Sequence, residues 1–124
     1  MRMGRILHMM ILAAFVAVPA SAEPYRCDFT GECVAGQDCT ESAYGIEIST
    51  LNHESQLYIS RVISTTTTQQ ISLEGQFPRV YASSAEGGPT EMISINADNT
   101  ALMTAHFTAS GSFAVSYFGI CEDL

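Results

Sequence analysis

Short runs of alternating apolar and polar residues recur from Ala43 to the end of this chain, and they constrain its fold more than any other feature. Residues with turn propensity end each run. The runs repeat at roughly 10–12 residues, a spacing typical of an all-β domain. Because side chains of a strand alternate between the two faces of a sheet, each run offers an apolar face to a core.

The last three runs give the clearest strands, at residues 91–97, 100–108 and 113–118. Only short turns separate them, and connections this short join antiparallel neighbours. Earlier strands are predicted at residues 44–51, 57–64, 71–74 and 77–83, and Thr65–Thr68 is interpreted as the end of one strand and the start of the next. We therefore predict one antiparallel meander of about seven strands, closed as a small barrel or packed as a sandwich so that its edges are hidden.

Residues 1–22 have the features of a secretory signal peptide. Arg2 and Arg5 precede an apolar run, and Ala20-Ser21-Ala22 fits the site that a signal peptidase cleaves. The apolar run is shorter than the roughly 20 residues with which a helix crosses a bilayer. We predict cleavage after Ala22 and a periplasmic or secreted protein with no membrane span after signal removal.

The charge balance argues against one class of partner. The chain has 13 acidic residues against 5 basic ones, for a formal net charge of −8 at pH 7. Removal of the signal would leave Arg26, Arg61 and Arg79 as its only lysine or arginine side chains. Such a surface repels nucleic-acid phosphates, so we predict no nucleic-acid partner. Its field could instead steer the protein onto a cationic exported protein.

Four cysteines in a small exported chain usually form a disulfide framework. They permit three pairings, among which the sequence does not decide. We favour Cys33–Cys39, which would close a short turn, and Cys27–Cys121, which would join the two ends of the domain. The spacing of the first three cysteines does not match structural zinc sites. We predict an irregular, cysteine-rich segment at residues 23–42, packed on an antiparallel β domain at residues 43–124.

The sequence carries few signs of catalytic chemistry. The sequence contains no zinc-protease, hydrolase-elbow or phosphate-loop motif. His53 falls in a predicted turn and His106 on a strand face, which leaves a small hydrolase as the weaker alternative. Asp28, Glu32, Asp38 and Glu41 do not have the spacing of a calcium loop. We therefore predict no enzyme activity, no cofactor and no metal site.

Tyr25-Arg26-Cys27-Asp28, followed by a small acidic β domain, resembles the bacterial inhibitors of c-type lysozyme. The resemblance implies export, a small antiparallel barrel and occupation of the muramidase cleft, with Tyr81-Ala82-Ser83-Ser84 matching the inhibitory loop. The cysteine cluster that continues to Cys39 departs from that family, as does the absence of Lys and Trp. The chain also resembles uncharacterised small, exported, acidic β-domain proteins of Gram-negative bacteria.

These observations predict a non-catalytic binding or inhibitor module of the bacterial periplasm, with a passive structural role in the envelope as the alternative. Its binding surface is expected to be a loop cluster at one end of the domain. The predicted loop residues are Asn52, His53, Glu54, Glu86, Gly87 and Gly88.

Overall fold

The computed structural model describes residues 24–50, 56–62, 64–84, 88–108 and 111–124. Their strands are β1 (Tyr25–Val34), β2 (Thr40–Thr50), β3 (Leu57–Ser60), β4 (Thr65–Gln70), β5 (Arg79–Ser84), β6 (Thr90–Ile95), β7 (Thr100–Phe107) and β8 (Phe113–Asp123). The predicted signal peptide, residues 1–22, lies outside the described residues. Within the described ranges, no helix has the length and apolarity needed to cross a membrane.

Each strand pairs with the next along the chain, and β8 pairs with β1, so that the sheet closes into a barrel. All pairs are antiparallel. The prediction of an all-β antiparallel meander is therefore confirmed, and of its two forms the structure has the barrel. We call the end at which β1, β3, β5 and β7 finish the mouth end, and the other end the base.

Inward side chains fill the barrel between the mouth end and the base. The apolar side chains that are at most 2% exposed include Tyr25, Phe29, Ile46, Ile48, Ile59, Tyr81, Ile93, Ile95 and Met103. A barrel of this strand number has an interior just wide enough for side chains to fill or for one small ligand. Most of this interior is occupied by the protein itself.

Both favoured disulfides are present. Cys27 and Cys121 are direct partners across the β1–β8 seam, with Cα atoms 4.0 Å apart and both residues fully buried. This bond cross-links the first and last strands inside the barrel. Cys33–Cys39 joins the end of β1 to the start of β2 at the mouth end.

The prediction that residues 23–42 are irregular is wrong in its larger part, because β1 occupies Tyr25–Val34. Tyr25, Cys27 and Phe29 are buried, whereas the side chains between them are exposed. This is ordinary strand alternation, which the polar composition and the closely spaced cysteines concealed. The first strand therefore contributes directly to the core.

The strand predicted at residues 71–74 is also absent. This segment lies in the connection between β4 and β5, where Ile71 is 62% and Leu73 is 69% exposed. The Ile71 amide donates to the Val80 carbonyl, but no ladder continues from that bond. Without further backbone pairing to β5, residues 71–74 do not form a strand of the sheet.

The β1–β8 seam contains a bulge between Phe29 and Gly31. Gly119 lies opposite Phe29, and a Cβ atom at position 119 would come within 2.0 Å of the Asp28 carbonyl oxygen and 2.7 Å of the Phe29 Cα atom. The two backbones can approach this closely only because residue 119 has no side chain.

Candidate functional site

An opening lies at the mouth end, beside the first half of β2. This strand has 11 residues, whereas β3 has only 4 and pairs with the last four residues of β2. The first part of β2, residues 40–46, lies against β1 on one side. On the side that faces β3, no described residue pairs with it. The short third strand thus leaves a gap in the barrel wall.

A cavity of about 490 Å³ occupies this gap, and we call it the mouth cavity. Its lining combines aromatic and apolar side chains with one pair of opposite charges. The lining residues are Ala43, Tyr44, Gly45, Arg61, Val62, Ser64, Thr66, Pro89, Glu91, Phe107 and Tyr117. This volume lies within the usual range for small-molecule sites, about 300–1,000 Å³.

Arg61 and Glu91 form a buried ion pair in the cavity wall, with side chains only 10% and 6% exposed. The Arg61 Nη2 atom donates to Glu91 Oε2. Its Nε atom donates to Tyr44 Oη at 2.6 Å, and its Nη1 atom donates to Thr66 Oγ1 at 3.0 Å. One guanidinium group therefore connects β2, β4 and β6 across the opening. These bonds offset the cost of removing both charges from water.

Burial changes the acid–base properties of this site. It raises the pKa of the Glu91 carboxyl above its usual value, although the positive charge and hydrogen bond of Arg61 act in the opposite direction. Burial likewise raises the pKa of the Tyr44 hydroxyl, with Arg61 again opposing the shift. Burial thus opposes ionisation of both groups, whereas the cation of Arg61 favours it.

Aromatic rings form the inner wall of the cavity. The Tyr44 and Tyr117 rings have centroids 4.9 Å apart and planes inclined at 31°. Phe29 packs beneath both, at 6.1 Å from Tyr44 and 5.9 Å from Tyr117. Such pairs hold one another in place, so the cavity presents a fixed aromatic surface beside the Arg61–Glu91 pair.

The bulge in β1 adds a second carboxylate to the mouth end. Beyond the bulge, Glu32 pairs directly with Tyr117, which packs against the core, so both side chains lie on the inner face. Regular alternation from Cys27 and Phe29 would have placed position 32 outside. Burial raises the pKa of the Tyr117 hydroxyl, and the negative charge of Glu32 raises it further. Glu32 therefore lies beside the cavity residue Tyr117 across the seam, although Glu32 does not itself line the mouth cavity.

The chemical groups of the mouth cavity are those of its lining residues. Its described lining contains neither histidine nor cysteine. No group of three or more metal-ligating side chains occurs among the described residues. What the cavity does offer is a rigid aromatic wall, tyrosine hydroxyls and buried charges of both signs.

The predicted binding residues are only partly covered by the structure. Asn52, His53, Glu54, Glu86 and Gly87 lie outside the described residues, whereas Gly88 precedes the cavity residue Pro89. The strands that flank the first group end at the base, and those that flank the second end at the mouth. A single cluster of both loops is therefore wrong, because connections in a meander alternate between the two ends.

Two other predicted positions lie away from the cavity. His106 is exposed on the outer face of β7. The segment that the resemblance associates with an inhibitory loop lies in β5, where Tyr81 is fully buried and Ser83 is 8% exposed. Neither position contributes a side chain to the described cavity wall.

Sequence reasoning missed Arg61, Glu91, Tyr44 and Tyr117 as site residues. One signal was available, since Glu91 is in phase with the buried Ile93 and Ile95 of the same strand. An acidic side chain on an apolar strand face requires a partner.

The chain matches no protein-family model, no curated protein and no solved structure.

Proposed function

We propose that this chain is an exported, non-catalytic binding module and that the mouth cavity is its binding site. The observation that carries the proposal is an open, aromatic-lined cavity with a buried ion pair in its wall. Ligand sites commonly combine a mostly apolar lining with a few fixed polar groups. The mouths of small barrels are among the places where such sites occur.

The Arg61–Glu91 pair supports a binding role rather than a purely structural one. Replacement of a buried ion pair by well-packed apolar residues is often neutral or stabilising, so such a pair is weak evidence for stability. Here the pair lies beside a cavity and bonds to Tyr44 and Thr66, which also line it. These bonds hold polar groups in fixed positions toward a ligand.

Export is part of the proposal. Disulfides persist in oxidising compartments and are rare in the cytosol, and the described residues contain two of them and no free cysteine. Together with the predicted signal peptide, this favours a periplasmic or secreted location.

A second candidate function is inhibition of a basic exported enzyme such as a c-type lysozyme. The acidic residues Glu32, Asp38 and Glu41 near the β1–β2 connection favour it, because they give the mouth end a negative field. A passive structural role in the envelope is the alternative. Hydrolysis through His53 or His106 is less favoured: His106 does not line the described cavity, and His53 lies outside the described residues.

The proposed function can be tested with the uncharged dye N-phenyl-1-naphthylamine, whose fluorescence increases in apolar sites. The purified, oxidised protein should enhance the emission in a saturable manner. The Ala43→Phe substitution should abolish this enhancement, because Ala43 lines the cavity. Ala97→Phe is the matched control, since Ala97 is exposed in the β6–β7 turn at the base. An equal loss in both variants, or in neither, would show that the dye does not occupy the mouth cavity.

A further inference from the structure

We propose that the mouth cavity takes a cationic amphiphile, a small molecule with a flat apolar body and a protonated amine. The inference rests on the proposed function and assigns its ligand class. Three features carry it: the charges at the mouth end, the aromatic wall and the saturation of Arg61 by protein acceptors.

The charges at the mouth end sum to a negative value. Glu91 is balanced by Arg61, and Glu32 adds a second carboxylate on the inner face of β1. The other two arginines of the described chain lie elsewhere. Arg26 pairs with Glu47 on the outer surface, and Arg79 lies at the start of β5, over the rings of Tyr25 and Phe77. Glu32, Glu91 and Arg61 together therefore contribute one excess negative charge, to which Asp38 and Glu41 near the β1–β2 connection add.

The aromatic wall also favours a cation. The faces of Tyr44 and Tyr117 carry the negative potential that attracts an ammonium group, and this attraction strengthens when water is excluded. Tyr117 is the direct strand partner of Glu32. An amine at this position would contact an aromatic face and approach a carboxylate, while its apolar body occupied the cavity.

An anion would find no equivalent partner. Arg61 already donates to Glu91, Tyr44 and Thr66, so its charge is engaged by the protein. A ligand carboxylate would have to displace one of these acceptors and would also lie close to two glutamates. Because charges interact more strongly in a partly dry cavity than in bulk water, this repulsion excludes anionic ligands.

Three indole compounds of similar size test the inference: tryptamine, 3-ethylindole and indole-3-propionate. They share a ring but carry a positive, zero and negative charge at neutral pH. The chain contains no Trp, so indole fluorescence reports the probe alone. We expect tryptamine to bind about tenfold more tightly than 3-ethylindole, a difference of about 1.4 kcal/mol that one cation–π contact beside a carboxylate can supply. Indole-3-propionate should bind most weakly.

Charge-removing variants identify the group responsible. Glu32→Gln should reduce the preference for tryptamine over 3-ethylindole several-fold. Glu74→Gln is the control, because Glu74 is exposed in the β4–β5 connection at the base. Thermal melts of both variants verify that the barrel is intact.

The outcomes separate the two proposals. Equal binding of the three indoles, or tighter binding of indole-3-propionate, overturns the cationic class but leaves the mouth cavity as a binding site. An unchanged preference in Glu32→Gln overturns the assignment to Glu32. If N-phenyl-1-naphthylamine binds at the mouth cavity and no indole does, the ligand class is wrong. If the dye also fails to bind, the proposed function falls with it.

Discussion

Arg61 and Glu91 are 30 positions apart in the sequence, yet they meet as a buried ion pair in the wall of the mouth cavity. Arg61 follows the short third strand, and Glu91 is the second residue of β6. The pair reaches across the part of the barrel where the wall is incomplete. It therefore acts both as a structural tie and as the polar part of the proposed site.

Removal of one partner should cost far more stability than removal of both. Arg61→Met leaves the Glu91 carboxylate buried without its cation, and Glu91→Met leaves the guanidinium without its anion. Each single change is expected to destabilise the protein by about 3–5 kcal/mol, and the double change by considerably less. Urea unfolding of the wild type, the two single variants and the double variant gives the coupling energy between the two side chains. Additive effects would show that the two side chains do not interact in solution.

The stability contribution of Glu91 should depend on pH in a defined direction. Its pKa is raised in the folded protein, so the folded state binds a proton more readily than the unfolded chain does. This contribution is fully present below the unfolded pKa of about 4.3 and is lost as the pH rises through the folded value. The free energy of unfolding of the wild type minus that of Glu91→Gln should therefore be larger near pH 4 than near pH 7.

Asp98 provides the opposite case at an exposed position. Hydrogen bonds from the Thr100 hydroxyl and amide lower the pKa of its carboxyl. The stability that this residue contributes is present above its unfolded pKa and is lost as the pH falls through the folded value. Asp98→Asn should therefore approach wild-type stability in acid. Slopes of the same sign for Asp98→Asn and Glu91→Gln would contradict one of the two assignments, and the sign itself identifies which.

Glycine at position 119 should be required for closure of the barrel. A Cβ atom there would meet the backbone of Asp28 and Phe29 at 2.0 and 2.7 Å, and backbone cannot move aside as a flexible side chain can. We expect Gly119→Ala to destabilise the protein by about 1–3 kcal/mol or more. At Gly31, by contrast, the nearest atom would be at 3.8 Å, so Gly31→Ala is the matched control. Equal melting temperatures for the two variants would contradict the close approach of the seam.

The two disulfides should contribute unequally. Cys27–Cys121 spans 94 positions, and loss of a cross-link over a loop of that size costs about 4–5 kcal/mol in the chain-entropy model. Cys33–Cys39 spans 6 positions, for which the same model gives about half as much. Unfolding of the two double Cys→Ala variants compares the contributions. A larger loss for the short bridge would contradict this order.

The strands that the sequence predicts well are those whose evidence is local. For β6, β7 and β8, apolar alternation and short turns together indicate antiparallel neighbours, and the structure confirms them. The site required information that no local window contains. Glu32 faces inward because of a bulge opposite Gly119, on a strand that is distant in sequence. Arg61 meets Glu91 because β3 is short, and its length depends on the pairing of the whole barrel.

The cross-link between Cys27 and Cys121 also has a mechanical consequence. Two positions outside the disulfide, Tyr25 and Asp123 form the outermost pair between β1 and β8. A force that pulled the start of β1 away from the end of β8 would reach a covalent bond after separating only the first pairs of the seam. The remaining strands would carry no tension until that bond was reduced. The oxidised protein should therefore resist extension by force more strongly than the reduced protein.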